Sequence, residues 1–362
     1  MSEQFIDRIK AATGPLRIRG AGSKDFYGQA LHGEVLDTRG HRGIVAYEPT
    51  ELYVTARCGT PLAEIEAALA ERGQCLPFEP PRFSADSTIG GVVASGLSGP
   101  RRASAGSVRD YVLGVKLLDG SARELSFGGQ VMKNVAGYDV SRLVAGSLGT
   151  LGLILEVTLK VLPKPAAGAT LRFGMDEAAA LRRLNEWGGQ PLPIVASAWH
   201  DGQLTLRLAG ARAAVEAARE KLGGEPMEAG GTTPAEVGPG ETATGDFWND
   251  LRDQTLPFFA ADTLWRLSVP SVAPALGLPG EQLVEWGGAL RWLKSAAPAE
   301  TIRAAAAAAG GSATLYRAPA ELKQRVGAFA PLPAPLLALH RNLKAAFDPR
   351  GIFNPGRLYP DL

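Results

Sequence analysis

Three glycine clusters hold the best prospect of chemistry in this 362-residue chain. The first is Gly20, Gly22 and Gly28, interleaved with Ala21, Ser23 and Lys24 and preceded by Arg19. The second is Gly90, Gly91, Gly96, Gly99 and Gly106, accompanied by the hydroxyls of Ser87, Thr88, Ser95 and Ser98. The third is Gly146, Gly149 and Gly152, with Ser147 and Thr150 as its only polar company. Backbone without side chains lets a flat or phosphorylated ligand approach closely and offers it amide N–H groups. Around Gly20–Lys24 those amides, the Ser23 hydroxyl and the charge of Lys24 or Arg19 suit a pyrophosphate. In the second cluster the small residues Val92, Val93 and Ala94 leave room for a planar ring, whose polar edge the hydroxyls and amides can bind. Each cluster alone reads equally as a turn or a tight helix–strand connection. Together, with strand-rich spacers between them, they suggest one extended ligand held along its length: pyrophosphate at the first, a ring near the second and third.

A nicotinamide dinucleotide fits poorly. The G-x-G after the first strand is not followed by a third glycine opening a helix, nor by an acidic residue about 20 positions on. Metal and nucleophile chemistry also lack their signatures. His32, His41, His200 and His340 never pair with another His or with Cys at ligand spacing, so no dedicated metal site is expected. Cys58 and Cys75 cannot form a Cys₄ iron–sulfur pattern. There is no G-x-S-x-G elbow and no P-loop. The catalytic groups remain unknown. Candidates are Tyr138, which can meet a ring or pack in the core; His340, which can move a proton or pack against its helix; and Asn354 in the last turn.

The elements that must position these residues follow from periodicity. A helix over 1–13 with Phe5, Ile6 and Ile9 on one face precedes a strand from Leu16 to Arg19. Strands at 43–49 and 52–60 lead into a helix begun by Pro61, with Leu62, Ile65 and Leu69 inward and Gly73 as its stop. A hairpin over 108–129 turns at Asp119–Gly120, and a strand from Leu151 to Leu162 closes this part of the chain. Beyond 166, strands and helices alternate in two strand–helix–hairpin–helix units, with a single helix expected over 245–259. That is an α+β arrangement: 1–165 as the ligand-binding domain, 166–330 as a smaller α+β domain of ferredoxin-like type, and 331–362 returning to the first.

Composition narrows the class further. A net charge of +1 carries no nucleic-acid footprint. The first residues read as polar and mixed in charge rather than as a leader, and no 18-residue apolar run occurs. A cytoplasmic setting is expected, with any membrane association peripheral and made through partners.

The succession RGAGSK (19–24), GTPLAEIEAAL (59–69), TIGG (88–91), SGLSGPRR (95–102), VLGVKLLDG (112–120), NVAGYDVSRLVAGSLGTLG (134–152) and DPRGIFNPGRL (348–358) resembles the FAD-linked oxidases of the vanillyl-alcohol oxidase, or PCMH, type. Within that group it is similar to the E-subunit family of bacterial glycolate oxidases. The resemblance covers the first domain and the tail tightly and the middle loosely. It implies a two-domain PCMH-type fold and one FAD, non-covalent because Lys24 stands where flavinylated relatives carry a histidine. It also implies that Arg19, Gly20, Ala21, Gly22, Ser23 and Lys24 form the pyrophosphate loop. Ser87, Thr88, Ile89, Gly90 and Gly91, with Ser95, Gly96, Gly99 and Arg102, would line the flavin. Gly146, Gly149, Thr150, Gly152 and Ile154 would wrap its ribityl and adenine side. Lys133, Arg101, Arg102 and Arg142 are the cations that could face the reduced ring.

One departure from the pattern stands out. Catalytic members that oxidise D-2-hydroxy acids carry a His-Gly-Asp-Gly-Asn motif and a further histidine in the second domain. Here His200 is the sole histidine between 42 and 339. The resemblance therefore implies an FAD-binding subunit whose flavin relays electrons or supports assembly. A homologous catalytic flavoprotein and an iron–sulfur subunit would complete the complex. The alternative is a self-sufficient FAD-dependent dehydrogenase of glycolate or D-lactate.

Overall fold

The structure is a computed structural model and describes residues 2–129, 139–227 and 246–362. The chain divides into two compact units. One is Met1–Ser98, Ser107–Pro163 and Ala320–Leu362; the other is Gly99–Gly106 and Lys164–Pro319. The tail thus joins the first unit from Ala320, and the short segment 99–106 is lent to the second. Within the second unit Ser104 Oγ donates to the Val195 carbonyl at 2.8 Å and Trp286 Nε1 to that of Gly99 at 3.1 Å, which anchors the lent segment.

In the first unit, β1 (Leu16–Arg19) pairs in parallel with β2 (Glu34–Asp37). Strands β3 (Ile44–Glu48), β4 (Tyr53–Arg57), β6 (Val112–Leu118), β7 (Glu124–Gly128) and β8 (Leu153–Lys160) form an antiparallel sheet in the order β3-β4-β8-β6-β7. Strands β5 (Gln74–Cys75) and β9 (Leu162–Pro163) make a two-residue ladder. The central strand β8 explains its near-continuous apolar sequence, because both of its faces are covered. Ile154, Val157 and Leu159 join a core with Val54, Ile65, Leu69 and Val93. Leu153 and Leu155 join another with Phe5, Ile9, Leu36 and Phe353. The helix Leu62–Ala70 buries Leu62, Ile65 and Leu69 as its periodicity requires. The expected 108–129 hairpin begins at Val112, because Ser107 and Asp110 form a capping box that winds Val108–Tyr111 into a helical turn.

The second unit is one eight-stranded antiparallel sheet built from two halves in mirror order. Strands β10 (Ala167–Gly174), β11 (Ile194–His200), β12 (Gln203–Gly210) and β13 (Glu225–Met227) enclose the helices Glu177–Gly188 and Arg212–Leu222 in β-α-β-β-α-β sequence. Strands β14 (Leu264–Ser268), β15 (Glu281–Glu285), β16 (Leu290–Lys294) and β17 (Ser312–Arg317) repeat this with the helix Ala299–Ala308. The order β13-β10-β12-β11-β15-β16-β14-β17 joins the halves where β11 meets β15. The second half lacks the helix between its first two strands, so the repeat is incomplete. The helix expected over 245–259 is Phe247–Asp253. Gln254 adopts a left-handed φ of 57° and caps it, and Pro257 starts a separate 3₁₀ turn.

Among the described residues no helix is long and apolar enough to cross a membrane.

Candidate functional site

The fold brings the first and second glycine clusters into contact. Strand β1 ends at Arg19, whose Nε donates to Asp25 at 2.9 Å, and Arg17 pairs with the same carboxylate. Gly22 sits at φ +76°, and a Cβ there would lie 2.1 Å from the Arg19 guanidinium. A Cβ on Gly20 would lie 2.3 Å from Thr88 Oγ1. Lys24 Nζ donates to Ser87 Oγ at 2.8 Å, and Ser23 Oγ lies 3.4 Å from the same hydroxyl. Thr88 also caps the helix Ile89–Ser95 by accepting from the Gly91 amide. Gly90 of that helix leaves room for Cys58, which a Cβ would strike at 2.7 Å, and its amide bonds the Cys58 carbonyl.

The third cluster packs on the other end of the same helix. Gly96 ends it at φ 67°, and a Cβ on Gly96 would meet Gly146 Cα at 2.8 Å. The Gly146 and Leu148 amides bond the carbonyls of Val93 and Ala94. Gly146 itself, at φ +86°, has no described atom within 4 Å of where a Cβ would stand. The result is a half-exposed, side-chain-poor track over Gly20–Lys24, Gly91, Gly96 and Gly146, flanked by buried residues. Among the described residues the amides of Ala21, Gly22 and Ser23 have no hydrogen-bond acceptor, so three donors lie beside the Lys24 ammonium.

Other singled-out residues serve the track from beneath. Ser95 Oγ returns to the Val92 carbonyl and Thr150 Oγ1 to that of Ser147. Ile89 and Ile154 are buried in the core beside Val93. Gly152 at φ +155° allows β8 to approach Leu118, whose carbonyl a Cβ would meet at 2.6 Å. Gly99 and Arg102 belong to the second unit, where the Arg102 guanidinium lies 4.5 Å from the Trp286 ring centroid. Arg101 is in the same segment. Arg142 pairs with Asp139 at 3.1 Å. Tyr138 and Lys133 lie outside the described residues.

Two of the candidate catalytic residues, His340 and Asn354, lie among the described residues. His340 Nδ1 bonds the Leu336 carbonyl of its own helix at 2.8 Å, and its ring meets Tyr359 edge-on at 6.0 Å. Asn354 uses both ends of its amide on backbone: Oδ1 accepts from Ile18 N at 2.8 Å, and Nδ2 donates to Leu148 O at 2.6 Å. Burial pushes the Cys58 thiol up to about 12, so it is an inert core thiol.

Sequence reasoning missed three buried cations of the tail. Lys323 donates to the carbonyls of Phe26 and Gly28, and Arg357 to those of Lys24, Asp25 and Gln29. Lys344 donates to Thr150 O at 2.8 Å and pairs with Asp348 at 2.7 Å. The available signals were the i,i+4 spacing of Lys344 and Asp348 and a cation inside the glycine–proline turn 354–358.

Comparison with known proteins bears on this geometry. A family model described as "FAD binding domain" matches residues 2–140, and one described as "FAD linked oxidases, C-terminal domain" matches 332–358. The chain is 49% identical to the glycolate oxidase subunit GlcE of Escherichia coli (strain K12), over all of this chain and 98% of that protein. It is 34% identical over 128 residues to the glycolate oxidase subunit GlcD of Bacillus subtilis (strain 168), covering 35% of this chain and 27% of that one. It is 35% identical over 114 residues to the D-2-hydroxyglutarate dehydrogenase of Xanthomonas citri pv. viticola, 31% of this chain and 24% of that. The solved structure of an alkyldihydroxyacetonephosphate synthase superposes with a TM-score of 0.65 at 16% identity, over 98% of this chain and 73% of that one, which is a likeness of fold.

Proposed function

Because the chain belongs to the family of FAD-linked oxidases that contains the glycolate oxidase subunit GlcE, we propose that it is the FAD-binding subunit of a complex oxidising glycolate or a similar 2-hydroxy acid. The observation that carries this reading is the track itself. Three glycine clusters, distant in sequence, meet along one helix and leave, among the described residues, amides without an acceptor, an ammonium bonded to Ser87 and no atom within 4 Å of a Cβ position on Gly146. These features fit FAD. Ala21, Gly22 and Ser23 would donate their amides to the pyrophosphate, with Lys24 and Arg19 supplying positive charge. Gly91, Gly96 and Gly146 would let the flat and ribityl portions approach the backbone. Bound there, FAD supplies an acceptor for two electrons that can leave one at a time.

The unit Met1–Ser98, Ser107–Pro163 and Ala320–Leu362 is then the PCMH-type FAD domain, and the eight-stranded unit is its cap. Among the described residues neither candidate proton-transfer group stands in the glycine track as a base for substrate oxidation. His340 Nδ1 is tied to its own helix and its ring packs on Tyr359, and Asn354 is a non-basic carboxamide with both ends bonded to backbone. The chain would therefore act with a homologous catalytic flavoprotein and an iron–sulfur subunit, in the cytoplasm or held peripherally at a membrane by them.

An anaerobic visible spectrum of the isolated chain tests this, taken before and after glycolate and then D-lactate. The expected result is bound oxidised flavin that neither acid bleaches until partner subunits are added. Bleaching of the isolated chain would make it a self-sufficient dehydrogenase. Absence of bound flavin, with none taken up from added FAD, would refute the assignment.

A further inference from the structure

The backbone carbonyls of residues 24–29, in the second half of the first glycine cluster, are held by cations from the last forty residues of the chain. Arg357 is 4% exposed, and its guanidinium donates to Lys24 O at 3.3 Å, to Asp25 O at 3.0 Å and to Gln29 O. Lys323, 5% exposed, donates to Gly28 O at 3.2 Å and to Phe26 O. The carbonyls of Lys24, Asp25, Phe26, Gly28 and Gln29 thus all point at two buried cations. A backbone carbonyl carries partial negative charge and would repel a phosphate placed beside it. Drawing five of them onto tail cations turns them away from an anion held at the preceding amides of Ala21, Gly22 and Ser23. It also places two buried positive charges behind a loop that bears Lys24 and whose one carboxylate, Asp25, is already paired with Arg17 and Arg19 of β1.

Asn354 does the complementary task at the other margin. Its backbone amide donates to Leu16 O at 2.9 Å, and its side chain spans Ile18 N and Leu148 O. Strand β1, which delivers the first cluster, is thereby fastened to the turn that delivers the third. Gly149 is glycine because a Cβ there would stand 2.7 Å from Asn354 Nδ2. Asn354 holds a left-handed φ of 42°, a conformation that asparagine tolerates better than most residues.

We infer that Arg357 and Asn354 are positioning residues for the dinucleotide: Arg357 sets the polarity of the phosphate-facing loop, and Asn354 sets the distance between the first and third glycine clusters. Neither is placed against the ligand. The inference rests on the assignment of the track to FAD, and the experiment separates the two.

FAD is titrated into the full-length apo chain, wild type and variants, and flavin fluorescence is followed. Circular dichroism and a thermal melt establish that each variant is folded under the assay conditions. Arg357→Met and Asn354→Leu are expected to raise the FAD Kd by about 10- to 100-fold, the range for losing charge-assisted or paired hydrogen bonds. Arg357→Lys keeps the charge but not the three-way fork, and should fall between Arg357→Met and wild type. His340→Ala, in the same tail, should stay within about twofold of wild type, as expected of a bond confined to its own helix. Folded Arg357→Met and Asn354→Leu variants with wild-type FAD affinity would overturn the inference while leaving the FAD assignment standing. Should Arg357→Met not fold, wild-type affinity in Arg357→Lys overturns the role of Arg357. For Asn354, Asn354→Asp, which loses the donor to Leu148, decides in the same way. A wild-type chain that takes up no FAD overturns the assignment and the inference together.

Discussion

Replacing Gly146 by alanine separates the cost of backbone strain from the cost of blocking a ligand. At φ +86° any L-residue is strained, and the left-handed region costs about 1–2 kcal/mol for alanine. No described atom lies within 4 Å of the new methyl, so no described residue collides with it. The predicted loss of stability is therefore about 1–2 kcal/mol. Gly73 is a matched control: it also has a positive φ (+62°) and an open Cβ position, but it lies in the exposed turn after the helix Leu62–Ala70, away from the track. Gly73→Ala should cost a similar amount in urea unfolding. The two variants should part in FAD titration. If flavin occupies the space over Gly146, a methyl there overpacks the site by about 1–3 kcal/mol, or roughly 5- to 150-fold in Kd. Gly73→Ala should bind FAD as wild type does. Equal FAD affinity in Gly146→Ala and Gly73→Ala would refute the placement of the ligand over the third cluster.

Gly20→Val should abolish FAD retention, because its Cβ would displace Thr88 Oγ1 from the cap of the helix Ile89–Ser95; stoichiometric flavin in the folded variant would contradict this. Arg291→Met should destabilise the second unit by about 3–5 kcal/mol in chemical denaturation. It strands the half-buried Glu177 carboxylate and the carbonyls of Gly288 and Ala273 that the fully buried guanidinium now satisfies at 2.7 and 2.8 Å. His41 should make folding weaken in acid. Burial, aided by Arg57, lowers its pKa, and its Nε2 has no partner among the described residues. The unfolded state therefore takes up the proton first, and stability is lost as pH falls below about 6.5. His41→Gln should flatten that part of the pH–stability curve, and an unchanged slope would show that another group is responsible.

Much of the architecture was legible in local pattern. Leu62, Ile65 and Leu69 at helical spacing and Asp119–Gly120 between alternating runs stand where the periodicity puts them. These features depend on neighbours a few residues away, so the sequence carries them directly. The boundaries that moved did so through capping. Gln254 turned left-handed and cut a helix short, and Ser107 with Asp110 made a helical turn where a strand was expected. Such choices are worth about a kilocalorie per mole, below what apolar periodicity resolves.

The site divides along the same line. By itself the sequence determined that glycine-rich backbone, Lys24 and a run of hydroxyls were available, because those are properties of residue type. It could not say which glycines face a ligand and which merely permit packing. Gly90 makes room for Cys58, Gly96 for Gly146 and Gly149 for Asn354, while Gly146 alone of these four has no described atom near its Cβ position. Those distinctions are contacts between segments as much as 205 residues apart (Gly149 and Asn354), and no local signal encodes them. The tail cations show the same limit. Arg357, Lys323 and Lys344 look like ordinary surface charges in sequence. Only the tertiary structure buries them against backbone carbonyls, where low dielectric gives each hydrogen bond more weight than water would allow.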